Sequence, residues 1–377
     1  MRRIKVDSTL IVLGILLVTI AIGAVLVSTV GRSFFSAGNI RDILTGMSVL
    51  GLVAIGQTLV ILGASLDLSV TYVMSLASLI AATTMAGNAA NIPWAVTVTL
   101  LVCAGIGLVN GLIVTVLKVN GFIATLGVGL ILQGVLNTNF QGSAGSVPWD
   151  FQLIGAVGVG PVPLSTIIML ALAAAIWWLL ARTRTGAHLF AVGGDPDVAR
   201  LSGVRTRPPL IAAHVACSLF AGIAGLLLAS RLGVGSPTVG QQGGYALLSI
   251  AAVVLGGTLL LGGRGSIWGT IGGVAIFAVV DNVMSVMQVN PFLKDVVRGI
   301  VIVAAVAVYS RRAVVRRRSR FGAGGTRTGG DAAARAAAPA MAAASAALLT
   351  APTAPAADAI GGATPTPAGP TEKGGGR

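Results

Sequence analysis

Two aspartates lie within otherwise apolar stretches of this chain, where ionisable side chains are rare. Asp67 lies between two apolar runs in the sequence Gly-Ala-Ser-Leu-Asp-Leu-Ser, and Asp281 lies in a later run beside Asn282. Ionisable groups in such surroundings are costly and usually face a cavity or a partner. We therefore expect Asp67 either to line a path for a polar solute or to cap the helix that follows it.

Further polar and aromatic side chains occur in the same apolar stretches. They could line a route for a hydroxyl-rich solute, or they could form hydrogen bonds between helices, and the residues alone leave both interpretations open. The candidate residues of a translocation path are Asp67, Ser69, Phe122, Thr125, Gln133, Asn137, Tyr245 and Asn282.

Motifs for catalysis or metal binding are missing from the sequence. No Gly-Lys dipeptide occurs, so there is no Walker A loop to bind ATP, and there is no HExxH motif. A single glutamate, Glu372, and two histidines are too few for a typical zinc or di-iron site. We expect His214 to be a core or interfacial residue and Cys103 and Cys217 to act as small hydrophobic residues. The chain is predicted to be no enzyme and to hold no metal or cofactor.

The elements that must position these residues are membrane helices. Of the 377 residues, 55% are hydrophobic and 10% are charged, whereas an average soluble domain carries about 25% charged residues. Ten apolar runs approach the length of about 20 residues that a bilayer core requires. The predicted spans are 8–30, 43–62, 66–86, 92–117, 122–139, 163–181, 209–229, 245–262, 266–288 and 292–310.

The basic residues indicate how these spans are oriented. The formal net charge is +14, but the arginines and lysines cluster between apolar runs, as they do at a membrane face and not on a nucleic-acid-binding surface. This pattern places both termini in the cytoplasm, which requires an even number of crossings. Ten spans could form an inverted repeat of five plus five. Gly265, Gly269 and Gly273 recur every fourth residue, a spacing that favours close helix packing.

The cytoplasmic loop 182–208 contains a short predicted helix over 196–202. Asp195 suits its N-cap, Pro196 its first turn and Gly203 its C-terminal end. Because so short a helix is unstable alone in water, it is expected either to contact a partner surface or to be a solvated anchor of the topology. We divide the chain into a transmembrane domain over 1–320 and a disordered Ala-, Gly-, Pro- and Thr-rich tail over 321–377.

Four separated motifs resemble the permease subunits of ribose-type ABC importers. They are Ala-Val-Gly-Gly-Asp-Pro-Asp-Val-Ala-Arg-Leu-Ser-Gly at 191–203, the Gly-rich segment 250–270, Leu-Asp-Leu-Ser at 66–69 and Phe-Ile-Ala-Thr-Leu-Gly at 122–127. The resemblance covers about residues 40–310. The chain departs from the family at Ala246, where members usually carry glutamate.

The resemblance implies an all-α polytopic protein of the bacterial inner membrane that forms a monosaccharide pathway from two permease copies. Its implied partners are a separate ATP-binding cassette, which binds the ATP, and an extracytoplasmic sugar-binding protein. The residues implied to contact the cassette are Gly193, Gly194, Asp195, Pro196, Ala199, Arg200, Leu201 and Gly203. The alternatives are an ion-coupled secondary transporter that uses Asp67 or Asp281, a permease for another small solute such as branched-chain amino acids, and a scaffold that docks partners without transport.

Overall fold

The computed structural model describes residues 8–301 and residue 303. The first six helices are α1 (Ser8–Thr29), α2 (Ala37–Leu62), α3 (Val70–Met85), α4 (Ile92–Thr115), α5 (Gly121–Asn139) and α6 (Trp149–Ala156). They are followed by α7 (Leu164–Arg182), α8 (Arg184–Gly194), α9 (Pro196–Leu201), α10 (Arg207–Leu232), α11 (Val239–Gln242), α12 (Tyr245–Leu255) and α13 (Ile267–Val286). A 3-10 turn spans Ala89–Asn91, a small hairpin joins β1 (Gly158–Val159) to β2 (Val162–Pro163), and residues 291–301 are helical.

Helix α10 lies at the centre of the bundle and packs against α2, α3 and α4. Its contact with α4 depends on small residues. A side chain at Gly107 would meet the backbone of His214 and Val215, and one at Gly111 would meet the backbone of Ile211. Lipid offers no hydrophobic drive for helix pairing, so this close approach of backbones supplies van der Waals contact instead.

In the described part of the chain, seven helices are long and apolar enough to cross a membrane, namely α1, α2, α4, α5, α7, α10 and α13. Large apolar side chains are exposed along α1, α4, α5 and α7, which suits contact with lipid. The all-α polytopic fold predicted from the sequence is confirmed. Of the predicted span 292–310, the structure describes 292–301 and 303, and the predicted tail 321–377 lies outside the described residues.

Two predicted spans are interrupted by non-helical backbone. Span 66–86 becomes the 16-residue helix α3, which begins only at Val70. The prediction of one helix over 245–262 is wrong, because α12 ends at Leu255 after 11 residues. The chain then turns through Gly257, Gly262 and Gly263, whose φ values are +92°, +80° and +69°. Glycine adopts this left-handed region without steric cost, so Gly257 directs the chain away from the helix, and Gly262 and Gly263 form the turn that follows.

The segment 233–244 enters the bundle beside α3 and is non-helical apart from the one-turn helix α11. It pairs with the loop after α5 through an antiparallel bridge between Ala144 and Gly235. Further along, Gly240 lies against the Thr71 carbonyl and donates its N–H to Ser75 Oγ at 3.0 Å. Non-helical backbone at membrane depth is tolerated where protein groups satisfy it, and the serines of α3 do so here.

Helix α13 begins at its N-cap Ser266, whose side chain accepts from the Gly269 N–H. A side chain at Gly269 would meet the Gly256 carbonyl, and one at Gly273 would meet the Ala252 carbonyl. Gly265 precedes the helix and lies against the Thr258 side chain. These glycines therefore bring α13 and the end of α12 into backbone contact.

Candidate functional site

The short helix α9 has the end structure that its sequence predicts. Asp195 Oδ1 accepts hydrogen bonds from the N–H groups of Asp197 and Val198, both at 3.0 Å, and Pro196 occupies the first turn. Ala199 is buried, whereas Leu201 is 89% exposed. Val198 is also 57% exposed, so one face of α9 carries two exposed apolar side chains three residues apart, and this face is a candidate contact surface.

Polar groups on the same helix are also solvent-exposed. Arg200 and Asp197 form an ion pair at 2.8 Å, with their side chains 71% and 81% exposed. Such a pair contributes little to stability, so both groups can bind another surface at low cost. Gly203 follows the helix with φ +81° and has open space around its Cα.

Helix α8, which the sequence analysis did not predict, ends in Gly193 and Gly194. Gly193 lies directly against the Leu62 carbonyl at the end of α2, and Gly263 N–H donates to that carbonyl at 2.9 Å. Gly262 packs against the Gly193 carbonyl, and Gly263 against Gly194. The ends of α2 and α8 and the turn after α12 thus meet backbone to backbone, with no space for a side chain at Gly193, Gly262 or Gly263. We call this contact the glycine junction.

The chain passes from the glycine junction straight into a buried polar group, the Asp67 cluster, made of Ser65, Asp67, Ser69, Asn110 and His214. Asp67 Oδ1 accepts from Ser69 N at 2.9 Å and Ser69 Oγ at 2.6 Å. Asn110 Nδ2 donates to Ser69 Oγ at 2.9 Å and to Asp67 Oδ2 at 3.4 Å. These bonds replace the helical hydrogen bonds that the irregular segment 63–69 lacks, and they join it to α4.

His214 connects the same cluster to α10. Its Nδ1 is 3.6 Å from Asp67 Oδ2 and its Nε2 is 3.2 Å from Ser65 Oγ, and neither His214 nor Asp67 has exposed side-chain surface. The prediction that His214 is a core residue is confirmed, but its pairing with Asp67 was missed. The pair joins distant parts of the sequence, so no local spacing could reveal it.

The remaining candidate path residues divide among separate places. Thr125 Oγ1 accepts from Leu68 N at 3.0 Å and so holds α5 against segment 63–69. Further toward the C-terminal end of α5, Gln133 Oε1 accepts from Tyr72 OH at 3.3 Å. Asn137, one turn later on the same helix, lines a cavity. Phe122 lies in the first turn of α5, Tyr245 begins α12, and Asn282 lies on α13.

Asp281 has a cationic partner. Arg298 Nε is 3.0 Å from Asp281 Oδ1 and Arg298 Nη2 is 3.1 Å from Asp281 Oδ2, which is the two-pronged geometry that guanidinium and carboxylate favour. Arg298 also contacts Asp295 Oδ1 at 3.1 Å. The ion pair fastens the helical residues 291–301 to α13.

Interrupted helices within a bundle of membrane spans, together with an exposed two-helix segment between spans, define a multi-pass membrane protein of the transporter class. The chain belongs to the family described as "Branched-chain amino acid transport system / permease component", whose profile matches residues 39–306. The resemblance to permease subunits inferred from four motifs is thereby confirmed.

Curated relatives are similar over most of their length. The ribose import permease protein RbsC of Escherichia coli K12 is 38% identical over 302 residues, which cover 79% of this chain and 92% of RbsC. The galactose/methyl galactoside import permease protein MglC of Salmonella typhimurium LT2 is 36% identical over 74% of this chain and 88% of MglC. RbsC of Bacillus subtilis 168 is 33% identical over 81% of this chain and 94% of that protein. No solved structure matches the chain significantly.

Proposed function

We propose that this chain is the membrane-spanning permease subunit of an ABC importer for a monosaccharide. The relatives with the names ribose and galactose import permease support the sugar class. The observation that carries the coupling role is the capped helix α9, which exposes Leu201. Helix α9 directly follows the glycine junction, which contacts the end of α2 and the turn after α12.

In this proposal a separate ATP-binding cassette binds α8 and α9, and an extracytoplasmic sugar-binding protein delivers the solute. Leu201 inserts into the cassette, while Asp195 keeps α9 folded and Arg200 pairs with acidic groups of the partner. A nucleotide-dependent shift of α9 moves the glycine junction and, with it, the ends of α2 and α12. Coupling of this kind requires that the cassette bind the two arrangements of the permease with different affinity.

The proposal further includes two permease copies in each transporter, both termini in the cytoplasm, and ATP hydrolysis by the cassette and not by this chain. The distribution of arginines supports the orientation. A reporter enzyme fused to the C-terminus, active only in the cytoplasm, tests it. Activity confined to the opposite compartment would contradict it.

The double variant Asp195→Ala with Arg200→Glu tests the coupling role. Loss of an N-cap costs about 0.5–2 kcal/mol, enough to unfold so short a helix, and the second change reverses a charge on its surface. We expect normal membrane insertion but loss of cassette binding and of sugar uptake in proteoliposomes that contain all three components. Arg205→Glu, which reverses an exposed charge of the same connection outside α9, serves as the control and should retain most activity.

Two outcomes would contradict the proposal. If the sugar-loaded binding protein stimulates ATP hydrolysis by the cassette equally in the double variant and the wild type, α9 does not couple the subunits. Sugar uptake by the purified chain alone, abolished by a protonophore, would show instead an ion-coupled transporter.

A further inference from the structure

Three of the five tryptophans of the chain lie together at one end of the bundle. Trp177 and Trp178 lie near the end of α7, and Trp268 lies in the first turn of α13. The rings of Trp177 and Trp268 are in contact, with their centroids 6.5 Å apart, although the two helices are far apart in the sequence. All three side chains are exposed on the surface of the bundle.

An arginine lies outward of the tryptophans on each of the two segments. Arg182, in the last turn of α7, follows Trp178 by four residues, so the two share a helix face and differ in depth by about 6 Å. Arg264 precedes Trp268 by four residues and directly follows Gly263 of the glycine junction. Both arginines are exposed. Two guanidinium groups therefore lie beyond the indole rings at the same end of the bundle.

The polar groups of this set have no protein partner among residues 8–301. The ion pairs there involve neither Arg182 nor Arg264, and no indole N–H of the three tryptophans donates a hydrogen bond to the protein. A covered indole N–H normally finds an acceptor. An occupant with acceptor oxygens and a negative charge would therefore complement the set.

The order of these groups matches a phospholipid better than a soluble anion. In a phospholipid the phosphate lies at the membrane surface, and the ester oxygens and acyl chains lie deeper. Guanidinium groups form strong hydrogen bonds with phosphate. Tryptophan rings favour the level below it, where the ring contacts apolar chains and the N–H stays near polar groups. Basic pockets between membrane helices select anionic headgroups.

The opposite end of the bundle shows what a tryptophan looks like without such a set. Trp94 is exposed in the first turn of α4, and no charged residue occurs in the sequence between Asp67 and Lys118. A tryptophan that only anchors a helix at the membrane surface needs no arginine beside it. The arginines that accompany the tryptophans on both α7 and α13 therefore indicate more than an anchor.

We infer that the end of α7 and the start of α13 together form a binding site for one phospholipid with an anionic headgroup, such as phosphatidylglycerol. Its phosphate binds Arg182 and Arg264, and its glycerol region packs on Trp178 and Trp268. The inference goes beyond the proposed function and depends only on the membrane-spanning fold, so it holds whichever solute the protein carries. The lipid bridges α7, which leads into α8, and the turn of the glycine junction.

Fluorescence quenching by brominated lipids tests which lipid contacts these tryptophans. The full chain with Trp94→Phe and Trp149→Phe keeps only the tryptophans of the site and is reconstituted in vesicles with brominated phosphatidylglycerol or brominated phosphatidylcholine. One arginine near an anionic headgroup changes affinity about fivefold, so we expect phosphatidylglycerol to bind at least about fivefold more tightly than phosphatidylcholine. Arg182→Gln with Arg264→Gln should remove most of this preference. Arg205→Gln, which neutralises an exposed arginine away from the tryptophans, is the control and should keep it.

Native mass spectrometry of the full chain tests the contribution of the rings. The protein is released from detergent that contains equal amounts of phosphatidylglycerol and phosphatidylethanolamine. We expect the wild type to retain one phosphatidylglycerol and the variant Trp178→Leu with Trp268→Leu to lose it. Trp94→Leu removes an exposed tryptophan from the opposite end and should retain the lipid.

Three outcomes would overturn the inference. The first is equal quenching by the two brominated lipids, and the second is a preference that survives in the double arginine variant. The third is a preference that soluble sn-glycerol 3-phosphate abolishes, because that ligand carries the phosphate without acyl chains and would show a site for free phosphate. Retention of phosphatidylglycerol by the double tryptophan variant would likewise contradict the assigned role of the rings.

Discussion

Replacement of Asp67 by alanine should strongly destabilise the buried interior. The substitution removes the acceptor for Ser69 N, Ser69 Oγ and Asn110 Nδ2, at 2.9, 2.6 and 3.4 Å. A hydrogen bond to a charged group contributes about 1.5–3 kcal/mol. The bonds are not additive, because Asn110 can still donate to Ser69 Oγ. A buried donor left without its acceptor costs about 1–3 kcal/mol, so with the N–H and the hydroxyl of Ser69 both affected we expect a loss of about 2–5 kcal/mol.

Two comparison variants define the origin of this loss. Asp67→Asn keeps one acceptor for Ser69 but removes the charge, so it should cost less than Asp67→Ala. Asp150→Ala is the control, because Asp150 is exposed in the first turn of α6. A carboxylate at a helix N-terminus contributes only about 0.3–1 kcal/mol.

The measurement is the free energy of unfolding in mixed micelles titrated with SDS, followed by circular dichroism. A double-mutant cycle of Asp67→Ala with His214→Ala should also give a coupling energy of about 0.5–3 kcal/mol, since the two side chains are in contact. If Asp67→Ala costs no more than Asp150→Ala, or if the Asp67 and His214 changes are additive, the Asp67 cluster does not stabilise the irregular segment 63–69.

Gly263→Ala should destabilise the fold by about 1–3 kcal/mol and reduce ATP-driven uptake, because its φ is +69° and the new methyl group would meet Gly194. Gly160→Ala, in the β1–β2 hairpin with φ +59° but open space, should cost about 1–2 kcal/mol and leave uptake unchanged. Equal effects of the two on uptake would argue against the glycine junction. Gly273→Ala should lower the unfolding midpoint in the same titration by separating α13 from the Ala252 carbonyl, whereas Gly105→Ala, which has open space, should leave it unchanged or raise it. Arg298→Ala should expose the helical residues 291–301 to added protease faster than in the wild-type protein, and equal cleavage rates would contradict their attachment through the ion pair.

Local features of the fold could be predicted from the sequence where neighbouring residues determine them. The cap of α9 is an example, because Asp195, Pro196 and the next N–H groups are adjacent in the chain. Long apolar runs likewise gave most spans, since hydrophobicity is summed over one continuous stretch. The run 245–262 misled that approach, because its apolar residues continue past Gly256 and Gly257, where the backbone turns.

Contacts between distant segments could not be predicted in this way. Asp67 could be recognised as unusual, but the choice of His214 and Asn110 as its partners depends on how α4 and α10 pack. Helix α8 was missed because its residues are less apolar than those of the spans and its first turn has only Thr183 as a cap. The cavity beside Asn137 combines residues about a hundred positions apart in the sequence, and only the entry of segment 233–244 into the bundle brings them together.

Segment 233–244, which precedes α12, also has a consequence for biosynthesis. Helix α12 has 11 residues, about half of what a lone span needs, and lipid would leave the irregular backbone before it without hydrogen-bond partners. Of its packing partners, α2 and α3 precede it in the chain, whereas α13 follows it. Because the N-terminal part is synthesised first, a protein surface awaits this segment when it leaves the ribosome. A circular permutant that places residues 233–266 ahead of α2 should therefore be degraded before assembly.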